Sequence, residues 1–120
     1  MKKIFFVGTS KDDLREFPEG VRYTMGKALL EAQKGGKSEN AKVLTGFGSA
    51  KVLEILDDDR SGTYRTVYTV EMAGYIFVVH AFQKKSKEGG KVPPRDDATI
   101  KRRIKEVGVI YKELKKEEKS

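Results

Sequence analysis

Residues 63–85 read TYRTVYTVEMAGYIFVVHAFQKK, and the way this stretch pairs with itself decides the fold. Apolar and polar residues alternate on both sides of Ala73-Gly74, the pattern of two half-buried strands joined by a tight turn. Thr63 to Met72 reads as one strand and Tyr75 to Phe82 as its partner. Side chains alternate faces along each strand, so pairing register decides which groups meet. A four-residue loop over Met72 to Tyr75 sets Arg65 opposite Phe82, with His80 and Lys84 as diagonal neighbours. A three-residue loop, Met72-Ala73-Gly74, shifts the pairing by one and brings Lys85 to the Arg65 face instead. Either register joins one of two adjacent lysines to Arg65. Cations in such a row either protect a sheet edge from aggregation or grip a polyanion.

Around this hairpin the chain has the length of a single domain. Its 120 residues support one modest core. Residues 1–115 read as that domain and 116–120, KEEKS, as a frayed tail. A formal net charge of +7 favours an acidic partner such as nucleic acid. The absence of cysteine excludes disulfides, thiolate metal sites and thiol nucleophiles, and suits a reducing cytoplasm. The start, MKKIFFVGTSKDD, has only four apolar residues in a row, too few for a signal-peptide core. No stretch approaches a membrane span, so a cytoplasmic domain without a membrane partner is expected.

Working toward the N-terminus, Lys3 to Val7 reads as a strand. Ser10 with Asp12 and Asp13 reads as a short helix start. Pro18 opens a second helix whose Val21, Met25, Ala28, Leu29 and Ala32 share one face, and Gly35-Gly36 ends it. GGKSENAK is a polar loop, Val52 to Leu56 a strand, and DDDRSG a turn. Toward the C-terminus, SKEGGKVPPRDD is a second polar loop. A final helix from Asp96 or Asp97 lines up Ile100, Ile104, Val107, Tyr111 and Leu114. The order is strand, two helices, three strands in an antiparallel meander, then a helix. This is an α+β domain with its helices against one face of the sheet.

Several chemistries fall away. GFGS at 46–49 is no phosphate loop, because no Gly-Lys-Ser/Thr follows and the next element is a strand. Asp57, Asp58 and Asp59 are consecutive acids pointing different ways, which suits a solvated turn better than a metal cluster. One histidine, His80, supports neither a zinc site nor a nucleophilic triad.

SGTYRTVYTV, YIFVVHAFQKKSK and PPRDDATIKRRIKE, with AKVLTGFGSAKVLEIL upstream, resemble the phage-derived RelE/HigB-like toxins of type II toxin–antitoxin modules. The likeness runs from about Lys3 to Glu106. It implies a RelE/ParE-like fold and a small basic toxin that cuts messenger RNA on the ribosome to inhibit translation. It also implies neutralisation by a co-expressed antitoxin, often of helix-turn-helix type. By the same likeness, Arg65 matches the arginine that contacts the scissile phosphate, Lys85 a second cation with Lys84 beside it, and His80 belongs to the H.F.KK motif. Where relatives carry lysines on the preceding strand, this chain has VLEIL with Glu54. Its only late tyrosine, Tyr111, falls on the apolar helix face.

The chemistry implied is attack of an RNA 2′-hydroxyl on the neighbouring phosphorus. Arg65 would steady the added charge, His80 serve as acid or base, and Lys84 or Lys85 bind phosphate or move a proton. This chemistry needs no metal or cofactor. Arg60, Phe82 and Lys87 are the expected RNA contacts around it, with Phe82 stacking a base and Tyr68 structural. Two other functions fit the same fold and charge: a ParE-like toxin that poisons gyrase by protein contact, and a basic RNA- or ribosome-binding module without catalysis.

Overall fold

The computed structural model describes residues 1–48, 50–84 and 92–119. Its elements in chain order are β1 (Lys3–Phe6), α1 (Ser10–Arg15), α2 (Glu19–Gln33), β2 (Ala41–Leu44), β3 (Val52–Asp59), β4 (Gly62–Thr69), β5 (Tyr75–Lys84) and α3 (Pro94–Lys119). The five strands form one sheet in the order β1-β5-β4-β3-β2. Strands β2 to β5 run antiparallel to their neighbours, and β1 joins β5 in parallel, Phe5 beside Phe77. This is the α+β architecture the sequence implies, with one strand more.

That extra strand is β2. Ala41 and Lys42 read from sequence as the end of a polar loop, yet Ala41–Leu44 pairs with Val52–Ile55 of β3. The second correction concerns the three aspartates. Asp57, Asp58 and Asp59 are not turn residues but the last rungs of β3, paired with Tyr64, Thr63 and Gly62. The ladder carries on past the polar run because β4 continues opposite it. The turn proper is tighter, with Asp59 Oδ1 accepting from the Ser61 amide at 2.6 Å.

The helices occupy both faces of the sheet rather than one. On the first face, Val21, Met25, Ala28, Leu29 and Ala32 of α2, the five residues predicted, pack with Phe17 against Leu53, Ile55, Tyr64, Tyr68, Ile76, Val78 and Ala81. On the second face, Ile100 and Val107 of α3 cover Val52, Val67, Tyr75, Phe77, Val79 and Phe82. Ile104, Tyr111 and Leu114 pack around that core partly buried. A sheet whose central strands are apolar on both sides needs a cover on each. Helix α3 stays helical to Lys119, through residues that read as a frayed tail. Glu118 fastens this end, accepting from Tyr75 Oη at 2.5 Å and from Lys3 Nζ at 3.3 Å.

The β4–β5 pair holds the detail that matters most. Thr69 faces Phe77 and Tyr68 faces Val78, but Val67 faces His80 and Arg65 faces Phe82. Val79 is an extra residue, a β-bulge. Both registers open in the sequence therefore occur, one on each side of it. The bulge turns His80, Phe82 and Lys84 onto the α3 face, where Arg65 and Val67 already point.

Candidate functional site

Beyond the start of α3, the second face of the sheet carries a charged cluster. Strand β4 contributes Arg65, β5 contributes Lys84, β3 contributes Glu54 and β2 contributes Lys42, which register places beside Glu54. Arg65 Nη1 donates to both Glu54 oxygens at 3.2 Å. Lys42 Nζ lies 3.8 Å from Glu54 Oε1. The Glu54 side chain is 0% exposed, Arg65 4% and Lys84 6%, whereas Lys42 is about half exposed. Lys42 is thus the one member at the surface.

Among the described residues, three cations surround the Glu54 carboxylate, and Arg65 and Lys84 make further contacts besides. Burial pushes the Glu54 carboxyl above its ordinary 4.5, against the opposing pull of Arg65, Lys42 and Lys84. Burial, and then the nearby Arg65, push the Lys84 ammonium down, with Glu54 pulling the other way. Both shifts bring a proton-carrying group closer to neutrality, as proton transfer requires.

His80 sits on the same strand as Lys84, four residues back toward α3. Its Nε2 is 2.7 Å from Asp96 Oδ1, and Arg103 Nη1 is 3.4 Å from its Nδ1. A guanidinium only donates, so Nδ1 is the acceptor and Nε2–H donates to Asp96. Arg103 also donates to the Val79 carbonyl at 2.9 Å and to Thr9 Oγ1 at 3.1 Å. The bulge carbonyl and the histidine are therefore held by one buried arginine. The imidazole further stacks on Phe82, centroids 5.0 Å apart.

The structure brings together Arg65, Lys84, His80 and Phe82 on one face, as the first register implies. Phe82 belongs to the α3-side core and is buried there. Arg60 is exposed at the tip of the β3–β4 hairpin, beyond the Thr63–Lys84 rung. Lys85 and Lys87 lie outside the described residues. Sequence reasoning did not assign parts to Glu54, Lys42, Asp96 and Arg103. Two of them left a trace: Glu54 is the lone charge inside VLEIL, and Arg103 interrupts the apolar stripe of α3 between Ile100 and Val107. Among the described residues, no group of three or more His, Asp or Glu converges as a metal site. No helix described is long and apolar enough to cross a membrane.

The fold resembles those of solved structures. Against isolated E. coli RelE toxin the TM-score is 0.51 with 21% identity, over 85% of this chain and 98% of that one. Against the intact E. coli RelBE toxin–antitoxin complex it is 0.53 with 23% identity, over 72% of this chain and 100% of that one. At such identities the likeness is one of fold. No curated protein matches the sequence. A family model described as phage-derived protein Gp49-like (DUF891) matches residues 12–105. That span contains Lys42, Glu54, Arg65, His80, Lys84 and Arg103, the residues that build the cluster and its support. With most of its length matched, the chain belongs to the Gp49-like family of phage-derived proteins.

Proposed function

We propose that this chain is the toxin of a type II toxin–antitoxin module. On this reading it is a ribosome-dependent endoribonuclease that cuts messenger RNA in the cytoplasm and is neutralised by a cognate helix-turn-helix antitoxin. The observation that carries the reading is the Arg65–Glu54 pair flanked by Lys84 and Lys42 on one sheet face. Support comes from the fold shared with a protein described as a toxin, and with that toxin in complex with its antitoxin. Exposed lysines 101, 105, 112, 116 and 119 along one side of α3 add a basic strip of about 27 Å for structured RNA.

In this mechanism the Glu54 carboxylate takes the proton of the RNA 2′-hydroxyl as O2′ bonds to phosphorus. Arg65 balances the charge gathering on the phosphate oxygens. Lys84 gives a proton to O5′ as the P–O5′ bond breaks, leaving a 2′,3′-cyclic phosphate and a 5′-hydroxyl. A carboxylate here replaces the lysines that relatives place on this strand. His80, fixed by Asp96 and Arg103, holds β5 so that Lys84 keeps its place, and Arg60, Lys85 and Lys87 add phosphate contacts. Since Glu54, Arg65 and Lys84 are buried, RNA reaches them only when the surface above them opens. A site closed in isolation fits an enzyme that works on the ribosome.

The test is induction in bacteria with primer-extension mapping of messenger ends, comparing the parent with Arg65→Lys and Glu54→Gln at matched soluble levels. Arg65→Lys keeps a charge over Glu54 but loses the planar fork. New ends inside translated regions are expected for the parent, falling by at least about a hundredfold in Glu54→Gln. Unchanged ends in both folded variants refute the reading. Damaged DNA topology with intact messages would replace it by a gyrase-directed toxin.

A further inference from the structure

The GFGS segment, which is no phosphate loop, has another use in the structure. Gly46 and Gly48 both adopt positive φ, 91° and 67°, a region that residues with a Cβ rarely enter. They fix Phe47 between two backbone reversals. Phe47, partly buried against the α3-side core, lines a groove of roughly 410 Å³ with Lys42, Val43, Leu44, Thr45, Val92 and Asp97. The groove lies between β2 and the start of α3. Its volume falls within the range of sites that hold small organic groups. Four apolar residues, Val43, Leu44, Phe47 and Val92, line it, and Asp97, steadied by Lys101 at 2.9 Å, supplies an acceptor.

Lys42 links this groove to the charged cluster. It lines the groove, its ammonium lies 3.8 Å from Glu54, and it is the half-exposed member of that set. An anion held by Lys42 therefore lies next to the Glu54–Arg65 pair. Strand β2 is also one of the two edge strands of the sheet. Leu56 donates to the Asn40 carbonyl, so ladder alternation turns the Val43 peptide groups toward the open edge, beside the groove.

We propose that this groove is a nucleoside subsite for single-stranded RNA: Phe47 stacks the base next to the scissile linkage and Lys42 holds the adjoining phosphate. The proposal rests on the nuclease reading for its biological sense, but not for its test. An extended peptide could also use a free edge and an apolar groove. The RNA occupant is favoured because half-exposed Lys42 borders the groove on a chain of formal net charge +7, and because the aromatic Phe47 lines it.

The experiment measures binding of a fluorescent, non-cleavable 2′-O-methyl oligonucleotide by anisotropy over a range of salt, for the parent, Phe47→Leu and Lys42→Gln. Leucine keeps Phe47's apolar contacts while removing the stacking face, and thermal denaturation checks that each variant is folded. Phe47→Leu should weaken binding by roughly five- to a hundredfold. Lys42→Gln should lower the slope of log affinity against log salt by about 0.7. Parent-like binding by both folded variants overturns the proposal, even if Arg65→Lys abolishes cleavage and the nuclease reading stands. Variants that bind RNA normally but no longer bind the antitoxin overturn it too, in favour of a peptide groove. RNA binding that depends on Phe47 and Lys42 in a protein that cuts no message upholds the subsite while the nuclease reading falls.

Discussion

Replacing Arg65 with alanine would leave the Glu54 carboxylate buried beside a lost guanidinium. At 3.2 Å and an effective dielectric near 20, the pair attracts by about 5 kcal/mol. Lys42 at 3.8 Å recovers part of this, though it is half exposed and more strongly screened. A net loss of about 3–5 kcal/mol at neutral pH follows, the usual cost of breaking a buried pair from one side. Urea denaturation followed by circular dichroism would read this as a midpoint lowered by roughly 2–3 M, taking m near 1.5 kcal/mol per molar. The pH dependence has a definite sign. Burial raises the folded pKa of Glu54 above 4.5, so the folded state holds its proton through the interval between the two values. Stability from this group is therefore present below 4.5 and falls as pH climbs through that interval. Removing Arg65 deletes the largest opposing influence and carries the upper limit higher. The deficit of Arg65→Ala should be smallest near pH 5 and grow toward neutrality. Adding Glu54→Gln should restore most of the loss, because the carboxylate charge that Arg65 balanced is then gone. A deficit under about 1 kcal/mol at pH 7, with no change at pH 5, would refute the account of a buried carboxylate that depends on Arg65.

Other consequences follow from single contacts. Arg103→Leu strands the Val79 bulge carbonyl and releases Thr9 and His80; thermal denaturation should show a loss of about 1–3 kcal/mol. Tyr68→Phe should stabilise the fold by about 1 kcal/mol in a denaturant titration, because the buried Tyr68 hydroxyl has no hydrogen-bond partner among the described residues. Tyr75, whose hydroxyl donates to Glu118, is pushed up to about 12. Glu118→Ala should bring it down toward 10, visible as one tyrosine ionising earlier in an alkaline absorbance titration.

Much of the fold was legible because it depends on local periodicity. The α2 face was readable because helical spacing alone gathers Val21, Met25, Ala28, Leu29 and Ala32. The α3 stripe was equally plain, except that Arg103 replaces an apolar residue on it. Strand β2 escaped notice because Ala41–Leu44 is too short to show a period and exists through its pairing with β3. The strand state of the three aspartates is hidden for the same reason: it comes from β4 opposite them. In the site, strand alternation put one of Lys84 and Lys85 on the Arg65 face, and the register shift in β5 made it Lys84. The partners of His80 were not legible, since Asp96 and Arg103 come from a helix 16 and 23 residues away.

The chain by itself determined where charge and apolar surface occur: the alternation along β4, the buried stripe of α2, the cations near the end of β5 and the lone charge of Glu54 inside VLEIL. Which face those cations share was decided by the folded structure, through one extra residue at Val79. A period of two cannot reveal an insertion that exists only relative to a partner strand. The groups that hold it are distant in sequence. The Val78 carbonyl accepts from the Val7 amide at 2.8 Å and from Ser10 Oγ at 3.1 Å, and the Val79 carbonyl accepts from Arg103 at 2.9 Å. Without those contacts, regular pairing from the turn onward would send His80, Phe82 and Lys84 to the α2 side, and Arg65 would face Glu54 without Lys84 beside it.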